Sequence, residues 1–206
     1  MGQGTGCPYW YFKMTPTKYH RRSIRLSGFD YSHPGSYFIT LCTRGKSPLF
    51  GEIVDGEMRL NDMGKMVEQE ILKTESIRDN IEIDKYVIMP NHVHLIIVIW
   101  SRKGTARRAP TVERFGKPVP NSIPSIIRSL KSAATKRINQ YYHTPGQSIW
   151  QRNYYEHVIR DEKELNRIRR YVINNPAKWT YDIENRNGLP IDENRKFWSK
   201  FLNEFE

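Results

Sequence analysis

Apolar positions along this chain recur with a period of two in some stretches and near 3.6 in others, and the changes of period outline its elements. Ser36-Tyr37-Phe38-Ile39-Thr40-Leu41-Cys42-Thr43 is β-branched and aromatic, which predicts a strand. Glu52-Ile53-Val54 and Glu57-Met58-Arg59-Leu60 flank Asp55-Gly56, a dipeptide that supplies positive φ, so the segment predicts a hairpin. Asn61 or Asp62 then caps a helix running to about residue 79, with Met63, Met66, Val67 and Ile71 on one stripe. Ile81 to Met89 and Val93 to Trp100 are two further strands, joined by a tight turn at Pro90-Asn91.

Residues 101–121 are rich in Gly, Pro and Arg and predict a long basic loop. Ser122 caps a helix from Pro124 to about Tyr142, with Ile123, Ile127, Leu130, Ala134 and Ile138 on its core face. Arg128, Lys131 and Thr135 fall on another face, free to meet phosphate. Trp150 to Arg160 alternates as a strand. Glu162 to about Asn174 is a helix that turns Leu165, Ile168 and Val172 inward and stops at Pro176. The order of elements predicts an α+β fold, an antiparallel sheet of about four to five strands covered by helices in a ferredoxin-like arrangement with additions. The length, 206 residues, suits one domain. We expect a flexible leader over 1–20, a single domain over 21–180 and a tail over 181–206, in which Trp198 and Phe201 are candidates to dock.

Charge narrows the function. Residues 13–25 carry five positives and no acid, among them Arg21, Arg22 and Arg25. Residues 102–137 carry ten basic side chains against Glu113 alone. These two segments hold +14 of a net +11, leaving −3 for the remainder, so the charge is concentrated as a footprint for a polyanion. No run reaches the roughly 18 apolar residues of a membrane span, and the glycine-rich N-terminus does not resemble a signal peptide. Two cysteines, Cys7 and Cys42, are too few for a disulfide framework or a metal knuckle. Together these point to a cytoplasmic, nucleoid-associated protein.

The candidate chemistry starts at His92-Val93-His94, where the most apolar strand begins. Period-two geometry sends both imidazoles to one face, while Val93, Leu95, Ile97 and Ile99 fill the other. Side chains at i and i+2 are close enough to share one metal ion. Two imidazoles hold a metal weakly, so a third ligand must come from elsewhere. Tyr171 and Asn175 stand one turn apart on the last predicted helix. The Asn175 amide oxygen could complete a His-His-Asn set for Mg²⁺ or Mn²⁺. A phenol is a weak nucleophile at neutral pH and gains from a nearby cation, which suits phosphodiester transesterification by Tyr171.

Met89-Pro90-Asn91-His92-Val93-His94-Leu95-Ile96 resembles the His-hydrophobic-His motif of the IS200-like single-tyrosine transposases. Three further segments resemble one branch of that group, the REP-associated tyrosine transposases: Arg22 to Leu26 with Tyr31 and Tyr37 to Thr40, Ile149 to Arg160, and Arg170 to Pro176. The likeness spans about residues 19–180. It implies an HUH nuclease domain acting on single-stranded DNA folded as imperfect hairpins. It further implies His92 and His94 as metal ligands, Tyr171 as nucleophile and Asn175 in the third-ligand position, where the wider group tends to have Gln. Tyr154 and Tyr155 are rival nucleophiles by this pattern, and with Trp150 they are candidates to stack on bases. Arg21, Arg22 and Arg25 are candidates to meet DNA. A histidine-triad hydrolase would need a third histidine where the chain has Ile96. A nuclease using metal-activated water, with Glu156 as a ligand, and a DNA-binding protein without catalysis remain as rivals.

Overall fold

The structure, a computed structural model, describes residues 29–101 and 119–203. Strand β1 (Gly35–Cys42) leads into the hairpin β2 (Gly51–Val54) and β3 (Glu57–Leu60), followed by helix α1 (Asp62–Ser76). Strands β4 (Ile81–Met89) and β5 (His92–Ile99) come next, then helix α2 (Ile123–Tyr141), strand β6 (Tyr155–Ile159), and helices α3 (Glu162–Asn174) and α4 (Ile191–Asn203). Strands β4, β5, β1 and β6 form one antiparallel sheet in that order. The order is ferredoxin-like, with the β2–β3 hairpin as an addition.

Alternation along the strands divides the core into two. Tyr37, Ile39 and Leu41 of β1 and Val93, Leu95, Ile97 and Ile99 of β5 face α1 and α2, which contribute Val67, Ile71, Ile127, Leu130, Ala134 and Ile138. Phe38, Ile96 and Ile159 face the other way, against Leu165, Ile168 and Val172 of α3 and Trp198 and Leu202 of α4. Each fully buried side chain of this size removes about 1.5–3 kcal/mol worth of apolar surface from water, so both faces of the sheet must be covered. Because β5 is central and buried on both sides, its histidine face is paved beyond the mouth by Ile96.

Local chemistry agrees with the predicted starts and turns. Asp55 (φ 53°) and Gly56 (φ 79°) make the hairpin turn with two left-handed residues. The Asn61 side chain accepts from Gly64 N–H at 3.0 Å and caps α1. Gly64 must be glycine for a different reason: a Cβ there would lie 2.3 Å from the Phe50 carbonyl oxygen. Ser122 occupies the position before α2 and its carbonyl accepts from Ile126 N–H, without a side-chain cap bond.

Two expectations need correction. Helix α1 ends at Ser76 rather than near residue 79. The last sheet strand is Tyr155–Ile159, shorter than the expected 150–160, because Trp150 leaves the ladder and is drawn into the core, making a lone bridge to Thr43. In residues 181–203 the candidates Trp198 and Phe201 pack into the core on the α3 side. The 3₁₀ turn Pro176–Tyr181 leads into this segment, and α4 lays Trp198, 1% exposed, against α3.

Candidate active site

The register of the sheet places the site. His94 is paired with Thr40 of β1 and Val87 of β4, and His92 with Cys42 and Met89. Both imidazoles point to the α3 side of the sheet, at its end. Their Nε2 atoms approach to 3.0 Å. His92 Nδ1 contacts Asn91 Oδ1 at 2.8 Å, and His94 Nδ1 contacts Thr40 Oγ1 at 2.9 Å. An amide oxygen only accepts, so His92 carries its proton on Nδ1 and turns a bare Nε2 into the site. The Thr40 hydroxyl can donate or accept and so tolerates either tautomer of His94.

Helix α3 brings the phenol. Asp161 caps it by accepting from Glu164 N–H at 2.8 Å, and its inward stripe seats Tyr171 among Phe38, His94 and Trp198. Tyr171 Oη lies 3.2 Å from His94 Nε2 and donates to Asp182 Oδ2 at 3.1 Å. One turn on, Asn175 keeps helical dihedrals (φ −57°, ψ −43°) although a proline follows, so its side chain stays over the site. Its Nδ2 donates to Asp182 Oδ2 at 2.7 Å, while its buried Oδ1 makes no hydrogen bond.

Asp182 is the residue that sequence reasoning missed. Its Oδ2 lies 3.9 Å from His92 Nε2 and 3.8 Å from His94 Nε2, and all three side chains are buried. Asp182 Oδ1 accepts from Glu184 N–H at 2.6 Å, which fixes the second oxygen inward. The neighbouring Glu184 is held by the Asn91 amide on its carbonyl and by Lys46 on its carboxylate, both at 2.8 Å. A single aspartate past the last expected element had no periodicity or motif to single it out. Only the docking of residues 176–203 shows where it goes.

Burial decides the charge states. It pushes the His92 imidazole down to about 3, more than the opposing pull of Asp182, so His92 is neutral at physiological pH. Burial alone would raise the Asp182 carboxyl, but the two imidazoles and the Asn175 amide hold it below the ordinary carboxylate range. The result is an anionic oxygen, two imidazole nitrogens and a phenol converging on one point.

This donor set fits a divalent cation. Two ligands about 2.1 Å from an ion at roughly a right angle sit about 3.0 Å apart, which the Nε2 pair matches. Without an ion, two lone pairs that close repel unless one carries a proton. The buried His92-His94-Asp182 group could hold a metal ion, and the Asn175 Oδ1 is buried without a hydrogen-bond partner. Asp182 was not among the expected His-His-Asn set. In this state Asn175 presents its amide N–H to that carboxylate rather than an oxygen to the imidazoles.

The other candidates separate. Trp150 is 5% exposed and packs on Phe50, which removes it as a base-stacking platform. Lys131 is not free for phosphate: its ammonium donates to the backbone carbonyls of Gln151 and Arg152. Tyr155 packs edge-on against Phe38, and burial raises its phenol above the usual range, which weakens it as a nucleophile. Tyr154 is half-buried against the core on the α1–α2 side. Arg128 is exposed on α2, as expected. Arg21, Arg22 and Arg25 lie outside the described residues, as does most of the basic loop. Among the described residues no helix is long and apolar enough to cross a membrane.

No protein-family model matches the chain. An uncharacterised protein of Haemophilus influenzae is 41% identical over 170 residues, covering 80% of this chain and 92% of that one. A second protein of that organism, provisionally named a REP-associated tyrosine transposase, is 29% identical over 96 residues, 46% of this chain and 48% of its own. The structure of a REP-associated tyrosine transposase bound to a REP hairpin aligns with a TM-score of 0.50 and 22% identity, covering 79% of this chain and 74% of that one.

Proposed function

We propose that this chain, which is related in sequence and in fold to the REP-associated tyrosine transposases, cleaves and rejoins single-stranded DNA through a phosphotyrosine on Tyr171. One observation carries the reading. The only phenol of α3 lies 3.2 Å from one of two convergent imidazoles, in a buried group with the chemistry of a metal site. His92, His94 and Asp182 would hold Mg²⁺ or Mn²⁺, with the Asn175 amide oxygen as a further donor. The ion would supply Lewis-acid polarisation of a non-bridging oxygen of the scissile phosphate.

The chain's own residues do the rest. Tyr171 Oη forms the new bond to phosphorus, and the bond from phosphorus to the departing 3′ oxygen breaks. That oxygen takes up a proton and leaves as a free 3′-hydroxyl, while the 5′ side stays on the tyrosine. Asp182 Oδ2 accepts the phenol's hydrogen bond at 3.1 Å and so orients Oη, while the phenol's proton passes to water, which in turn protonates the departing oxygen. The energy of the broken phosphodiester is kept in the phosphotyrosine, so rejoining to another 3′-hydroxyl needs no nucleotide cofactor. Phe38, Trp198 and the His94 ring box in the phenol and limit its rotation. Tyr171 is 2% exposed and Trp179 stacks on His92, so a phosphodiester enters only when residues 176–203 part from this end of the sheet. The solved relative holds a REP hairpin, and the concentrated positive charge of this chain supports a similar substrate, acting in the cytoplasm on nucleoid DNA.

The test is purified protein with Mn²⁺ and a hairpin-bearing single strand. A covalent protein–DNA adduct on denaturing gels, mapped to Tyr171 by mass spectrometry and absent in Tyr171→Phe, is the expected outcome. Cleavage without any adduct would favour a water nucleophile, and adduct formation by Tyr171→Phe would remove the assignment.

A further inference from the structure

The Pro90-Asn91 turn looks in sequence like a mere connection between two strands. In the structure Asn91 is 4% exposed and every polar atom of its side chain is engaged. Nδ2 donates to the Glu184 carbonyl at 2.8 Å and to the Lys46 carbonyl at 3.4 Å, and Oδ1 faces His92 Nδ1 at 2.8 Å. Its own carbonyl accepts from Thr43 N–H and the Thr43 hydroxyl. The two carbonyl partners accept only, so they require the NH₂ group on their side and leave the oxygen for the histidine. The amide's orientation is therefore dictated by groups that cannot reverse their roles.

Two consequences meet in one side chain. The amide oxygen obliges His92 to carry its proton on Nδ1, which frees Nε2 for the site. The amide N–H ties down the carbonyl of Glu184, whose own N–H holds Asp182 Oδ1 at 2.6 Å. Asn91 thus sets the tautomer of one imidazole and the position of the carboxylate opposite it, although it contacts neither the phenol nor the point where the donors converge. Lys46, 2.8 Å from the Glu184 carboxylate, and Cys42, whose thiol lies 3.4 Å from the same oxygen, support the loop from the other side.

We infer that Asn91 is a positioning residue that fixes the His92 tautomer and the Asp182-bearing loop together, and so preorganises the metal site. The inference rests on the metal reading given above, and it adds a requirement that the ligands alone do not state. Partners behind the ligands typically contribute 10–100-fold in metal affinity.

Two readouts on folded protein decide it, with circular dichroism used to confirm that each variant keeps its secondary structure. Long-range ¹H–¹⁵N correlation spectra of the metal-free protein report imidazole tautomers directly. Wild type should show His92 protonated on Nδ1. Asn91→Ala should show the Nε2–H form, and its Mn²⁺ affinity by calorimetry should fall 10–100-fold. Asn91→Asp keeps an acceptor for Nδ1–H but loses both donors. It should retain the wild-type tautomer and still lose affinity, through the untethered loop. Asn91→Ala with an unchanged tautomer and affinity within about twofold of wild type would overturn the inference. So would Asn91→Asp with wild-type affinity, since the loop tether would then count for nothing. Wild type that binds no Mn²⁺ would refute the metal reading, while the tautomer spectra would still judge what Asn91 does to His92.

Discussion

Replacing Trp198 with alanine tests whether the C-terminal segment is part of the domain or an appendage. Trp198 is 1% exposed, its ring meets Tyr171 edge-on at 4.6 Å, and its Nε1–H donates to the Tyr181 carbonyl at 2.7 Å. Phe197 and Phe201 flank it, and Phe197 stacks on Tyr181 at 3.7 Å. Truncation opens a large void and orphans that carbonyl, a change that costs about 3–5 kcal/mol in buried cores. For a chain of this size each kcal/mol moves the midpoint by roughly 2–4 °C, so the variant should melt about 6–20 °C lower. Trp198→Phe keeps much of the packing, loses the indole donor, and should cost only about 1–2 kcal/mol. Thermal denaturation followed by far-ultraviolet circular dichroism measures both. Hydrogen exchange adds the location: amides of α4 and of residues 176–184 should lose protection first, and Asp182 loosens with them. A Trp198→Ala midpoint within about 2 °C of wild type would show that α4 contributes no stability to the face it covers. The enclosure of Tyr171 described above would then be wrong.

Further expectations concern the site and its support. Asn175→Asp replaces an amide that donates to Asp182 Oδ2 at 2.7 Å by a second carboxylate, so the metal-free protein loses a charge-assisted hydrogen bond of about 1.5–3 kcal/mol and gains repulsion. Mn²⁺ should relieve both, giving a larger thermal shift than in wild type; an equal or smaller shift would argue against a cation between these residues. Lys131 is pushed down to about 8 by burial, below its ordinary value of 10.5, so between these pH values the unfolded chain binds more protons than the folded one. Stability should therefore rise with pH across that window in wild type and not in Lys131→Met, as read from urea midpoints at several pH values. A difference between the two proteins that stays constant with pH would mean the ammonium is not titrating there. Tyr155→Phe should leave adduct formation intact, since its ring packs on Phe38; loss of the adduct would restore Tyr155 as a rival nucleophile.

Most of the fold was legible from local pattern. Near-continuous apolar runs in Phe38–Leu41 and Val93–Ile99 reflect strands buried on both sides, and the helical stripes of α1, α2 and α3 reflect burial on one. Asp55-Gly56 and Asn61 announced a turn and a cap because those conformations depend on the residues themselves. The same locality put His92 and His94 on one face and Tyr171 and Asn175 one turn apart, since period-two and 3.6-residue geometry require nothing from distant parts of the chain. The resemblance to the REP-associated tyrosine transposases also rested on local motifs, and the comparisons bear it out. Tertiary packing alone decided which local candidates share a site. It buried Trp150 on Phe50, turned Lys131 onto backbone carbonyls, and brought Asp182 across from a segment with no periodic signal. The reason is physical: a strand or helix sets where its own side chains point within a few residues, whereas the partner of a buried carboxylate is set by which distant surface the chain must cover.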